Sequence, residues 1–104
     1  MIDLRDPQRS ETDRAGTVDE ITSLRGVAIG VVADVTDKEA IADAIGRTES
    51  AFGPVQLAVN CAGIANAAPA EEMELVQWER VIQVNLTGVF LSCQAVAGSA
   101  ITNR

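Results

Sequence analysis

Short polar side chains stand where otherwise apolar runs of this chain stop and turn, and these are the residues best suited to chemistry. Asp3 closes Ile2-Asp3-Leu4, Asp34 follows the run Val27–Ala33, and Asn60-Cys61-Ala62-Gly63 follows Val55–Val59. A carboxylate accepts from hydroxyl or amino groups, and glycine lets a flat ring approach the backbone. Together they suit a small ligand carrying ring nitrogens and hydroxyls. Each residue also has a purely structural reading. Asp commonly ends a strand and caps the next helix, Asp3 can be a solvated residue, and residues 60–63 can be an ordinary tight turn. Their coincidence at three strand ends tips the balance towards a ligand. Asn85 differs, because it lies on an apolar helical stripe where Asn is a poor helix former. Spacing alone favours a local kink there, helped by Thr87 and Gly88, over a polar anchor for a site above the sheet.

Other chemistry is excluded by composition. The 104 residues contain no His, no Tyr and a single lysine, Lys38, so neither His-based catalysis nor a Tyr/Lys proton relay can be assembled from them. Cys61 and Cys93 lack zinc-ligand spacing and read as small core residues, reduced in an intracellular setting. Trp78 reads as core or interface packing, and Glu71-Glu72 as the start of a helix. The spacing Gly26-x-x-x-Gly30 opens a strand, so it is not a phosphate loop. With 15 acidic against 8 basic residues and a net charge of −7, the chain is a poor partner for nucleic acid. The charged start Met1–Asp6 lacks the core of a signal peptide, and no run approaches the roughly 18 apolar residues of a membrane span. A soluble cytoplasmic protein without a membrane partner is expected.

The elements that must position these groups alternate. Ile2–Leu4 reads as a strand stub and Glu11–Arg25 as a weak helix, stopping at Gly26, whose start shifts to Thr17 if the Thr17/Glu20 capping box is used. Val27–Ala33 reads as a strand covered on both faces. The box Thr36-Asp37-Lys38-Glu39 opens a helix with Ile41, Ile45 and Phe52 on one side, closed by Gly53-Pro54. Val55–Val59 is a third strand. A long helix from Glu72 to Val96 carries the stripe Leu75, Trp78, Ile82, Asn85, Val89, Cys93 and Val96. A second apolar set, Val84, Leu91 and Ala95, requires cover on more than one side. The order β-α-β-α-β-α predicts one α/β domain over residues 1–104, with a parallel sheet.

The segments Ala33-Asp34-Val35-Thr36-Asp37, Asn60-Cys61-Ala62-Gly63 and Trp78–Phe90 (WERVIQVNLTGVF), in that order and spacing, make the chain resemble the classical short-chain dehydrogenases/reductases from about Ile2 to Val96. The resemblance implies a partial NAD(P)-binding Rossmann-like domain, a doubly wound parallel sheet holding family strands 2, 3 and 4 and the helix after strand 4. It assigns Asp3 to the adenosine ribose hydroxyls, favouring NAD over NADP, with Arg5 nearby weighing against that preference. It assigns Asp34 and Val35 to the adenine ring. Asn60, Ala62 and Gly63 match the Asn-Asn-Ala-Gly motif that lines the cofactor cleft, with Cys61 replacing the second Asn. Asn85 matches the helix Asn of the catalytic tetrad, so the resemblance adds function to the kink.

The departures are as informative. The family's glycine-rich first unit and its Ser and Tyr-x-x-x-Lys have no counterpart in these 104 residues. In the family's strand order 3-2-1-4-5-6-7, this leaves a gap between strands 2 and 4. The expectation is part of an oxidoreductase that moves hydride between NAD(H) and an alcohol or ketone, the parent a dimer or tetramer and the isolated chain inactive and marginally stable. The alternatives are an assembly or regulatory module using the 72–96 helix, and a truncated product without function.

Overall fold

The computed structural model describes residues 2–3 and 11–102. In chain order these form β1 (Ile2–Asp3), α1 (Glu11–Ser23), β2 (Val31–Val32), α2 (Lys38–Phe52), α3 (Leu75–Ile82), a π-helical turn (Gln83–Thr87) and α4 (Gly88–Thr102). β1 and β2 pair in parallel, Ile2 opposite Val31 and Asp3 opposite Val32. The radius of gyration is 15.6 Å and the thinnest dimension 18 Å. A compact domain of this length has a radius near 13 Å, so the molecule is open and extended.

Sheet formation is narrower than the apolar runs predict. Among the described residues the ladder holds only Val31–Val32, opposite Ile2–Asp3, and Val27–Gly30 lie outside it. The strand expected at Val55–Val59 is not in a ladder either. Its residues run without regular structure, and Leu57 and Val59 stay 77% and 76% exposed. Strand propensity is realised only where a neighbouring backbone supplies partners. Nor is β2 covered on both faces. Val31, Ala33 and Val35 are buried, while Val32 between them is exposed. On the Val32 side, by strand alternation, α1 approaches near Gly30, where a Cβ would stand 3.6 Å from Val18 Cγ2.

The core lies on the other face. Val31, Ala33 and Val35 meet Ile41, Ala44 and Ile45 of α2 and Val84 of the π turn, with Val55, Ala62, Ile64, Ala95 and Val96 packed around them. The predicted α2 stripe holds at Ile41 and Ile45, but Phe52 at the helix end is exposed. On the long helix the buried line is Val84, Gly88 and Ser99, while Leu75, Trp78, Asn85 and Cys93 are exposed. Val84 and Ala95 of the second apolar set, together with Val96 of the first, therefore meet the core. The helical segment begins at Leu75 rather than Glu72 and continues to Thr102, past Val96. By length and composition this 28-residue stretch is apolar enough to cross a membrane, contrary to the expectation from sequence.

Local signals account for the helix ends. α1 begins at Glu11, so the Thr17 box is not its start. It closes in a Schellman arrangement, with Gly26 N–H donating to Ile21 O at 2.9 Å and Arg25 N–H to Thr22 O at 3.0 Å. Arg25, not Gly26, takes the left-handed φ of 65°. α2 is capped by Asp37, whose Oδ1 accepts from Glu39 N at 3.0 Å and Ala40 N at 3.1 Å. Thr36, read from sequence as the cap, turns back to Asp34 instead. Gly53, with φ of 87°, ends α2 as expected. Ser99 donates to Glu49 Oε1 and accepts from Val55 N at 3.4 Å, tying α4 to α2 and to the segment after it.

Candidate functional site

Because β1 and β2 are parallel and Asp3 stands opposite Val32, the C-terminal ends of both strands lie at the same end of the sheet. Asp34 follows β2 there. The chain turns with Asp37 N–H donating to Asp34 O at 3.0 Å, and Asp34 Oδ1 accepts from Thr36 N at 2.9 Å and Thr36 Oγ1 at 2.7 Å. The Thr36 peptide and hydroxyl hold the Asp34 carboxyl below its ordinary range. Partial burial opposes them, and Arg80 adds a smaller downward pull. The Arg80 guanidinium stands 3.9 Å from Asp34 Oδ2.

The helix carrying Arg80 also carries Asn85. At Asn85 the backbone departs from α geometry, and residues Gln83–Thr87 form a π turn. This is the irregularity that Asn85, Thr87 and Gly88 predict, and π turns mark functional sites often enough to matter here. The Asn85 amide is exposed rather than buried, yet fully engaged. Its Oδ1 accepts from Ile64 N at 2.8 Å, and its Nδ2 donates to Ile64 O at 2.8 Å. A side-chain amide thus pairs with both backbone groups of one residue, as a neighbouring strand would, pinning the 60–64 loop to the helix. One turn on, Gly88 lies directly on Val35. A Cβ there would stand 2.7 Å from Val35 Cγ2 and 3.2 Å from Val35 Cβ. Gly88 has ordinary helical angles, φ −60° and ψ −42°, so its absent side chain matters for space and not for backbone freedom.

The α3–π segment therefore links two of the predicted clusters, the Asp34 turn through Arg80 and the 60–64 loop through Asn85. Val35 is buried against Gly88. Asn60 is exposed and donates through Nδ2 to Cys93 Sγ at 3.7 Å. Ala62 packs on the core, and Gly63 is exposed with Asn85 Oδ1 3.5 Å from where its Cβ would be. Asp3 has the backbone placement given above, and Arg5 lies outside the described residues. Cys61 and Cys93, expected in the core, are both exposed free thiols. Trp78 is 55% exposed, which removes its core reading. Among the described residues no His/Cys/Asp/Glu cluster could hold a metal ion. Sequence reasoning missed Thr36 and Arg80 as partners of Asp34. The Asp-x-Thr spacing carries a signal for the first, whereas the 46-residue separation of Arg80 from Asp34 carries none.

An α/β layer with a helix irregularity clamped to a small-residue loop defines a class, and comparison with known proteins specifies it. The family model described as short chain dehydrogenase matches residues 7–103. D-threitol dehydrogenase of Mycolicibacterium smegmatis is 40% identical over 86 residues, covering 76% of this chain and 33% of that protein. 3beta-hydroxysteroid dehydrogenase 1 of Eggerthella lenta is 41% identical over 78 residues, 75% of this chain and 30% of that protein. Among solved structures, a short-chain type dehydrogenase/reductase from Mycobacterium marinum superposes with a TM-score of 0.85 at 29% identity, over 90% of this chain and 38% of that one. The chain belongs to the short-chain dehydrogenase/reductase family. It spans about a third of the length of the curated relatives it matches.

Proposed function

We propose that this chain is the adenosine-side part of the NAD-binding domain of an oxidoreductase whose whole protein passes hydride between NAD(H) and an alcohol or ketone. The observation that carries the reading is the two-bond clamp of Asn85 on Ile64, which fixes the 60–64 loop on the same helix that reaches the Asp34 turn. Asp34 Oδ1 is taken by Thr36, which leaves Oδ2 as the acceptor for an amino group on the adenine ring. Val35 has its side chain buried against Gly88, so a contact from it to the base comes from its peptide. Asp3 takes the ribose hydroxyls, and its negative charge favours NAD over NADP. Asn60, Ala62 and Gly63 line the cleft, where small side chains allow close approach. Asn85 serves catalysis by holding this loop. NAD supplies the hydride acceptor, and the relatives named for a threitol and a 3beta-hydroxysteroid support an alcohol substrate. A cytoplasmic homo-oligomer is the setting that fits reduced thiols and the apolar helix.

The 104 residues alone are inactive in this reading, because the family's proton relay uses Tyr and Lys, the sequence has no Tyr, and Lys38 is exposed on the first turn of α2. The test is to offer the purified chain NAD with a panel of polyols and hydroxysteroids, and to follow adenosine contact by saturation-transfer NMR. Adenosine contact without NADH formation is expected. Turnover would overturn the inactivity, and the absence of adenosine contact would overturn the site. Assembly is favoured by a different observation. Leu75, Val76, Trp78, Leu86, Phe90 and Ile101 of the long helix are each more than half exposed. Co-purification with a full-length relative would support that reading, and a strictly monomeric chain would count against it.

A further inference from the structure

Resting on the adenosine-side reading, we infer that Arg80 is a positioning residue for the Asp34 carboxylate and sets the preference of this site for a purine bearing an amino group. Asp34 Oδ1 already accepts from the Thr36 peptide and hydroxyl, at 2.9 and 2.7 Å. Oδ2 is the remaining oxygen, and Arg80 Nη2 stands 3.9 Å from it. A charge-assisted hydrogen bond would be about 2.7–2.9 Å long. At the observed distance the guanidinium orients the carboxylate through charge without occupying the lone pairs of Oδ2. Thr36 holds one oxygen and Arg80 draws the other, so the carboxylate plane is restrained from both sides while one acceptor stays open to a ligand. Arg80 is itself held in register, because Asn85 on the same helical segment is bonded through both amide atoms to Ile64. An ionised carboxylate only accepts, so it takes the amino group of adenine and rejects the oxo group of hypoxanthine.

The experiment compares adenosine with inosine by ligand-observed NMR titration of the 104-residue chain and of Arg80→Ala and Arg80→Lys. Arg80 is half exposed, so neither substitution opens the core. If Arg80→Ala nevertheless loses its helical circular dichroism, Arg80→Gln, which keeps most of the side-chain length, takes its place. The wild-type chain is expected to prefer adenosine about tenfold, the discrimination typical of one hydrogen bond to a charged group. Arg80→Ala is expected to fall to about twofold and Arg80→Lys to recover part of the preference, a rescue that loss of packing alone would not give. A variant lacking the charge that keeps the full preference overturns the inference and leaves the adenosine site standing. A wild-type chain that binds neither nucleoside, or both equally, overturns the site reading and the inference with it.

Discussion

Gly88 offers a test in which one substitution acts with opposite signs at two places. In a helix interior, alanine is favoured over glycine by about 1 kcal/mol, since glycine loses more backbone freedom on folding. Gly46, inside α2, has nothing within 4 Å of where its Cβ would be, so Gly46→Ala should gain about that amount. At Gly88 the same Cβ would stand 2.7 Å from Val35 Cγ2. Two carbons need about 3.5 Å or more, so α4 or Val35 must move by about 0.8 Å. Val35 is β-branched and buried, with few alternative rotamers, and overpacking of this kind costs about 1–3 kcal/mol. Set against the propensity gain, Gly88→Ala should be destabilising by up to about 2 kcal/mol. It should also loosen the Asn85–Ile64 clamp one turn away. Urea unfolding followed by far-UV circular dichroism at one protein concentration, with amide exchange at Ile64, gives both readouts. If both alanine variants raise the midpoint equally, the close packing of Gly88 on Val35 is refuted.

Asn85→Ala removes both Ile64 bonds and should cost about 1–2 kcal/mol, with loss of exchange protection at Ile64 N–H; unchanged protection would contradict the clamp. Arg25→Gly relieves a left-handed non-glycine residue at the end of α1 and should stabilise the chain by about 1 kcal/mol, read as a higher urea midpoint, whereas a lower midpoint would show that the arginine side chain contributes more than its backbone costs. The Asp34 carboxyl is held below its unfolded value, so the stability it contributes is present above that value and lost as pH falls through the folded one. Thr36→Val removes the hydroxyl donor, so carboxyl NMR should show the Asp34 midpoint rising towards the ordinary carboxylate range, with a smaller acid-range loss of stability. An unmoved midpoint would mean that the peptide donor alone sets it.

Local chemistry was legible in the chain. The Gly53 stop and the Asp34 turn each follow from residues acting on the backbone beside them, and the place of the helix irregularity was marked by Asn85, Thr87 and Gly88. The opening of α2 was legible too, though the cap fell on Asp37, because Thr36 was drawn back to Asp34. The α/β class and the family motifs were equally readable, since both are patterns along the chain, whereas the third strand of the expected alternating order is not formed.

Tertiary structure decided what depends on partners distant in sequence. Apolar, β-branched residues at Val27–Gly30 and Val55–Val59 announce strands, but a ladder forms only where another backbone offers its N–H and C=O, and here that happens at Val31–Val32 alone among the described residues. Periodicity could mark two apolar stripes on the long helix without ranking them. Packing buried Val84, brought Ala95 and Val96, one from each stripe, against the core, and left Leu75 and Trp78 in solvent. Arg80 reached Asp34, and Asn85 reached Ile64, only because folding brought one helical segment against two loops. Sequence supplies donors, acceptors and propensities residue by residue. Which of them meet is settled by how the layers pack.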